Sequence, residues 1–395
     1  MKIHIVLVSE QVLANLIPIL MEGPDLVLLV VTPGMAARRL DRRLQTLLEA
    51  RGISCRICPD APDVGVRDIQ QYATALLDQV VEAYAEPEVV LNATGGTKLM
   101  SLAFVEVCRG LASRILYTDT AHRRIEYLPN GNAPLPAPTA MTNTLDLPGY
   151  LAAQGFRFRC AASDEPAWRE ATARRKAACK YLGQHMGQPH LQHYVGQMNY
   201  LADQALERVA GTWEETLANP RQAFEEPPRG IWAEAQAELT KAGLMSWAPG
   251  DREFAFTTAE AARFIRGGWL EEYAWHIVRD AQAFDARLGV EGVWLDTKKT
   301  TNEFDVLACH INQLLLIECK TLQYRAENEN EIAYKLDSLS QDVRGLFGDT
   351  WLLSARQPSD VLTERAHQTR IRLIGPADLV HLRERVLAWL AGKRD

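Results

Sequence analysis

Through its first 130 residues the chain alternates short apolar runs with amphipathic stretches. Strand candidates fall at 2–8, 26–31, 53–58, 88–91 and 114–118, with helical patterns near 10–21, 35–51, 66–85 and 98–111. Strand–helix alternation of this kind predicts a doubly wound, mainly parallel Rossmann-like sheet. Residues 122–128 read as a hairpin return. A tract holding Pro129, Pro134, Pro136, Pro138 and Pro148 follows, and so many prolines suit neither helix nor strand, so 131–164 reads as a linker. Residues 165–265 are helical and charged in pattern, and 266–395 form a third unit of mixed α/β type.

That third unit carries the strongest chemistry. Apolar runs at 304–310 and 313–319 flank a turn at Ile311-Asn312, which predicts an antiparallel hairpin with Asp305 opposite Glu318. Directly opposed residues lie ~5 Å apart at Cβ. Lys320, two residues after Glu318, shares its face because strands have a period of two. Two carboxylates and an ammonium among Val306, Leu307 and Leu314 to Ile317 sit on buried strands, where they strain against one another. A hard cation, Mg2+ or Mn2+, relieves that strain. Upstream, Gly267-Gly268-Trp269-Leu270-Glu271-Glu272-Tyr273 opens a helical pattern with Glu271 on its first turn. Downstream, Leu336 and Leu339 mark one face of a further helix, and Lys335 beside them can reach the hairpin. A lysine there also serves simply to cover apolar surface.

Composition sets wide limits. With 395 residues, 47% hydrophobic and 24% charged, the chain has the makeup of an ordinary globular protein of two or three domains. Met1-Lys2 runs straight into an apolar strand and the run Leu26 to Val31 is too short to span a bilayer, so a cytoplasmic protein without membrane contact is expected. A net charge of −7 gives no global pull on nucleic acid. Attraction must be local, and Lys298-Lys299, just before the hairpin, is the basic patch best placed for it. The seven cysteines include one CxxC, Cys55 to Cys58, whose thiols diverge on a strand; reduced thiols without metal are expected.

A second constellation is Val89-Val90-Leu91-Asn92-Ala93-Thr94-Gly95-Gly96-Thr97-Lys98-Leu99-Met100, a buried strand running into a glycine turn and a helix. Ligands of open α/β sheets collect outside the strands' carboxyl ends. Glycines let backbone amides approach an anion, and the helix N-terminus with Lys98 adds positive potential. The spacing is neither a Walker A loop nor a GxGxxG fingerprint. Local physics leaves two readings open: a cradle for phosphate, or a turn that needs glycines to pack tightly.

Two family resemblances bear on these motifs. The helix–hairpin order over residues 268–390 resembles the PD-(D/E)xK restriction-endonuclease-like nucleases. It implies Glu271, Asp305 and Glu318 around the metal, the main-chain carbonyl of Cys319 as a further ligand, and Lys320 acting on the attacking water. Phe304 stands where that family often has proline. The N-x-T-G-G-T-K-x-M motif, with Val8-Ser9-Glu10 after the first strand, resembles the CARF domains of CRISPR defence proteins over about residues 1–130. That resemblance implies a cyclic oligoadenylate ligand, with cyclic tetra-adenylate the expected form, lined by Thr94 to Lys98, by Ser9, Glu10 and Gln11, and by Thr32. It also implies a homodimer, since a two-fold symmetric ring fits an isologous cleft.

Residues 239–256 resemble a winged helix without a basic recognition helix, so 165–265 is expected to act as a connector. Together these resemblances describe a ligand-gated, metal-dependent nuclease of type III CRISPR antiviral defence that cleaves DNA, RNA or both. The alternatives are a nucleotide-sensing transcription regulator with a degenerate nuclease domain, and a phosphodiesterase that degrades the cyclic ligand.

Overall fold

In the computed structural model, residues 1–212, 214–295, 301–321, 343, 345 and 347–393 are described. The first apolar runs form strands β1 (Lys2–Leu7), β2 (Leu26–Val30), β3 (Ser54–Cys58), β4 (Glu88–Asn92) and β5 (Arg114–Asp119). They are joined by helices α1 (Val12–Glu22), α2 (Pro33–Ala37), α3 (Leu40–Glu49), α4 (Val66–Ala83) and α5 (Lys98–Cys108). Strands β6 (Arg124–Tyr127) and β7 (Thr139–Ala140) add an antiparallel edge. The sheet runs β3-β2-β1-β4-β5-β6-β7, with its first five strands parallel. Near-continuous Val, Ile and Leu in β1, β2 and β4 suit a sheet covered on both faces. Chain order reverses between β1 and β4, so the ends of these strands flank the switch point at which ligands bind in such sheets.

The segment 131–164 is more than a linker. Within it lie β7, helix α6 (Leu147–Gln154) and strand β8 (Phe156–Ala161). Pro148 does not break this helix but opens it, since a missing N–H costs nothing in the first turn. Asp146 Oδ1 caps it by accepting from Gly149 N at 2.9 Å. Leu147, Tyr150 and Leu151 bury its apolar face.

The middle of the chain comprises α7 (Pro166–His185), α8 (Pro189–Ala205), the pair β9 (Leu206–Arg208) and β10 (Glu215–Leu217), β11 (Arg221–Ala223), α9 (Ile231–Lys241), β12 (Met245–Ser246), β13 (Glu253–Phe256) and α10 (Ala259–Arg263). Strands β11, β13 and β12 make a small sheet beside α9, the helix-plus-wing arrangement that the pattern predicted. A π-helical turn over Phe264–Gly268 leads into α11 (Trp269–Asp280).

The second large sheet holds β14 (Asp285–Trp294), β15 (Thr301–His310), β16 (Gln313–Lys320), β17 (Gly348–Ser354) and β18 (Ile371–Ile374). Its order is β18-β17-β16-β15-β14-β8, so β8 crosses from the connecting segment to become its edge strand. Helices over Asp360–Gln368 and Leu382–Leu390 complete the chain's fold. The β15–β16 register sets His310 against Gln313 and Val306 against Ile317, around Ile311 and Asn312, both in the left-handed conformation of a tight hairpin turn.

Asn312 fastens this turn to the connecting segment. Its Oδ1 accepts from Thr144 N and Leu145 N at 3.0 and 3.1 Å, and its Nδ2 donates to Thr142 O at 2.7 Å. Arg123, at the β5–β6 turn, donates to Leu390 O and Trp389 O, both at 2.9 Å. One hydrophobic cluster accordingly runs from Val6 and Leu13 through Tyr150 to Leu307 and Leu316, and another joins α7 and α8 to α11 and β16.

Candidate functional site

Helix α11 lies across β14, β15 and β16, buried through Trp269, Leu270, Tyr273 and Ala274. This docking carries Glu271, on its first turn, to the strand ends. Asp305 falls level with Glu318 one step beyond the Val306–Ile317 pair, as the hairpin geometry predicted. Asp305 Oδ2 accepts from Cys319 N at 2.7 Å, and Lys320 Nζ donates to Glu318 Oε1 at 2.6 Å.

The carboxylates here disturb one another. Burial pushes the Glu271 carboxyl up to about 7, and the charges of Glu303, Glu318 and Glu272 add to it while Lys320 opposes. Asp305 is raised well above its ordinary value, first by burial and then by Glu318 and Glu271. Glu303 is raised by burial and by Glu291 and Glu318. Glu303 and Glu291 escaped the sequence reading. The signal was there, because Glu303 precedes Asp305 by the strand period, and Glu291 stands opposite Glu303 on β14. A dication suits this donor set, as hard oxygen ligands carrying unrelieved negative charge are what Mg2+ and Mn2+ bind. Lys298, Lys299 and Lys335 lie outside the described residues.

The next residue is a buried carboxylate with a cation beside it, though burial still raises it above its ordinary value. Glu272 is buried and accepts from Arg175 Nε at 2.7 Å, with Arg175 Nη2 and Thr172 Oγ1 as further partners. Its oxygen, Cys179 Sγ and a His276 nitrogen lie within 4.8 Å of one another, the tightest metal-type grouping among the described residues. Yet Arg175 already pairs with Glu272, and burial pushes the Cys179 thiol well above its ordinary value, away from the thiolate that a metal takes. Glu271, Asp305 and Glu318 do not gather so closely, because Glu318 turns to Lys320 and Asp305 to the Cys319 amide.

At the other sheet, the predicted residues do assemble at the switch point. Ser9, Glu10 and Gln11 follow β1, Thr32 follows β2, and Thr94 to Lys98 follow β4. Their duties differ. Thr94 Oγ1 donates to Asn92 Oδ1 at 2.6 Å and accepts from Thr118 N at 2.8 Å, tying β4 to β5. Thr32, buried, caps α2 by accepting from Met35 N at 3.3 Å. Both hydroxyls hold the frame. A Cβ on Gly95 would stand 1.9 Å from Leu7 O, and Gly96 has a φ of +71°, so the glycines are needed for packing on β1. Thr97 caps α5 through Met100 N at 3.2 Å. Lys98 is exposed, and Glu10 pairs with Arg38 across the rim.

Asn15 and Asn92 were not singled out as site residues from sequence, although both are fully buried here. Asn15 Nδ2 donates to Leu7 O at 3.1 Å and its Oδ1 accepts from Ser9 at 3.2 Å, pinning the end of β1. Asn92 Nδ2 is buried with no hydrogen-bond partner.

Each of the two regions matches a known domain family. Residues 3–150 match the Card1 CARF domain family, and residues 258–392 match the Card1-like endonuclease domain family. Among solved structures the chain is similar to protein VC1899 from Vibrio cholerae, with a TM-score of 0.80 and 23% identity over 99% of this chain and 98% of that one. It is also similar to Can2 from Sulfobacillus thermosulfidooxidans, solved in complex with cyclic tetra-adenylate, with a TM-score of 0.73 and 26% identity over 98% and 97% of the two chains. No curated protein sequence matches it significantly. A sensor sheet and an endonuclease on one polypeptide define a CARF-linked nuclease. The chain carries a Card1 CARF domain and a Card1-like endonuclease domain.

Proposed function

We propose that this chain is a metal-dependent nuclease switched on by a cyclic oligoadenylate, cyclic tetra-adenylate in particular, in type III CRISPR antiviral defence. The observation that carries the reading is the pairing of a Card1 CARF domain with a Card1-like endonuclease domain that bears the Glu271–Asp305–Glu318–Lys320 cluster. The Can2 structure with cyclic tetra-adenylate, similar along nearly its whole length, supports the choice of ligand.

Glu271, Asp305 and Glu318, with the Cys319 carbonyl, would hold Mg2+ or Mn2+, in the manner of PD-(D/E)xK nucleases. The cation supplies Lewis-acid polarisation of the phosphodiester and lowers the pKa of the attacking water. Lys320, held by Glu318, would orient the water through its ammonium and offset charge that grows in the transition state. Glu303 and Glu291 keep the surroundings acidic, which discourages nucleic acid until a cation is bound.

On the sensor side, Glu10, Gln11 and exposed Lys98 would meet the ligand, while Ser9, Thr94, Thr97, Thr32 and the two glycines keep the cleft's shape. Two copies of the chain, paired about a two-fold axis, would close on one ring. The Asn312 clasp links that sheet's connecting segment to the hairpin of Asp305 and Glu318, a physical route for a population shift.

The test is a substrate panel. Plasmid, single-stranded DNA and RNA are each incubated with Mg2+, Mn2+ or a chelator, with and without cyclic oligoadenylates of different ring size. Cleavage that needs both metal and cyclic tetra-adenylate is expected; cleavage insensitive to every cyclic ligand contradicts the gating.

A further inference from the structure

Several buried or half-buried arginines of the described residues have carboxylate partners. Arg114 reaches Glu22 and Glu88, Arg175 reaches Glu272 and Glu260, Arg266 reaches Glu215, and Arg287 reaches Asp164 and Asp285. Arg356 makes no such pair: its Nε is buried without a hydrogen-bond partner, and burial lowers its guanidinium from the ordinary value with no carboxylate opposing. An arginine desolvated in this way is costly to keep unless an anion arrives to meet it.

Its position says which anion. Strand β17 runs parallel to β16 with Ser354 opposite Lys320, and Ala355 N donates to Lys320 O at 2.9 Å. Arg356 is the next residue, fixed by Ser354 Oγ, which accepts from Arg356 N at 3.2 Å and donates to Arg356 O at 2.6 Å. The guanidinium sits against α8 at Gly196, where a Cβ would stand 1.8 Å from Nη2 and 2.8 Å from Cζ. One turn along that helix, the Asn199 amide is 3.3 Å from the carbonyl of Thr321, the residue after Lys320. Arg356 therefore follows by two residues the β17 position paired with Lys320, and its guanidinium sits against the helix whose Asn199 meets the residue after Lys320.

We propose that Arg356 is a substrate-binding residue of the nuclease site, whose guanidinium takes a phosphodiester of the bound strand. The proposal rests on the nuclease reading. Lys320 is engaged with Glu318, so it cannot alone hold a polyanion against five nearby carboxylates. A planar guanidinium grips two phosphate oxygens at once, which an ammonium does not. Gly196 serves this arrangement by leaving room for the guanidinium on the helix surface.

The test compares Arg356→Ala, Arg356→Lys and Gly196→Ala with the wild-type full-length chain. With cyclic tetra-adenylate present throughout, binding of a short fluorescein-labelled single-stranded DNA is followed by anisotropy at several salt concentrations, with Ca2+ in place of Mg2+, and turnover is measured with Mg2+. Arg356→Ala should weaken binding about tenfold, raise KM more than it lowers kcat, and reduce the slope of log affinity against log salt by about 0.7. Arg356→Lys should keep the slope while losing part of the affinity. Gly196→Ala keeps the charge but displaces it, so it should weaken binding while its Tm stays at or above that of wild type, alanine being the better helix former. Wild-type affinity and slope in both Arg356→Ala and Gly196→Ala would overturn the proposal and leave Arg356 a packing residue. A wild-type chain that binds this strand through Arg356 but cuts no nucleic acid would instead overturn the nuclease reading and uphold the contact; one that neither binds nor cuts overturns both.

Discussion

The sensor cleft and the nuclease site are both built at strand ends, yet they handle polar groups in opposite ways. Around β1 and β4, Asn15, Thr94, Thr97 and Thr118 satisfy one another and the backbone, and Gly95 presses against Leu7 O. Around β15 and β16, Glu271, Glu303 and Asp305 are raised by burial and by one another's charge, with Lys320 as the near counter-charge. The difference teaches what each needs from outside. A frame held by its own hydrogen bonds, Asn92 Nδ2 apart, can hold its shape and wait for a ligand, whereas a frame in electrostatic tension calls for a cation. Asn312 lies between them, tying the hairpin's turn to the segment that leaves the sensor sheet.

The largest effect that would sharpen this contrast is on catalysis. Asp305→Ala and Glu318→Ala should each reduce cleavage by orders of magnitude, since the cation loses a ligand, while affinity for the cyclic ligand stays at the wild-type level. Gel assays and calorimetry on the same preparations check both halves. Next comes a comparison of neighbours. Glu272→Ala leaves buried Arg175 with the more exposed Glu260 as its carboxylate partner and should cost up to about 3 kcal/mol in denaturant unfolding. Glu271→Ala removes a carboxylate from a crowded site, and should abolish cleavage while leaving the fold as stable as before or more so without metal.

A smaller effect is expected at the sensor. Lys98 is exposed, so Lys98→Ala should leave Tm unchanged yet weaken cyclic tetra-adenylate binding by ~1.5–3 kcal/mol through the lost charge-assisted contact. The smallest is a pH effect. The Glu271 carboxyl titrates at about 7 in the fold against 4.5 ordinarily, so its protonated form favours folding; that contribution is full below 4.5 and is lost as pH rises through about 7. Metal ligands must be deprotonated, so the rise in Tm on adding Mg2+ should be larger above about 7 than below it. Glu271→Gln should flatten that difference.

Much of this was legible from pattern alone. The five parallel strands and the hairpin of Asp305 and Glu318 followed from apolar runs of strand length, and their register from one tight turn. Pro148 misled because proline reads as a breaker when its place in a helix is unknown, and here it occupies the first turn behind the Asp146 cap. The edge strand β8 escaped notice because it alternates Phe and Arg within a segment that otherwise looks like loop, and only the partner β14 reveals it. Thr94 and Thr32 show a further limit. A hydroxyl beside a cleft looks like a ligand contact until its hydrogen bonds are known, and these two are engaged with Asn92, Thr118 and the α2 amides. Glu303 needed only the strand period, but Glu291 needed the pairing of β14 with β15.

The central claim is that occupancy of the sensor cleft controls chemistry at the carboxylate cluster. Its most direct test is turnover of single-stranded DNA and RNA in Mg2+, measured across a cyclic tetra-adenylate titration for wild type, Lys98→Ala and Glu318→Ala. The account expects ligand-dependent cleavage by wild type, a titration displaced to higher ligand in Lys98→Ala, and no cleavage at any ligand concentration in Glu318→Ala despite normal ligand binding. Cleavage by wild type at the same rate with and without ligand, or cleavage by Glu318→Ala, would contradict it.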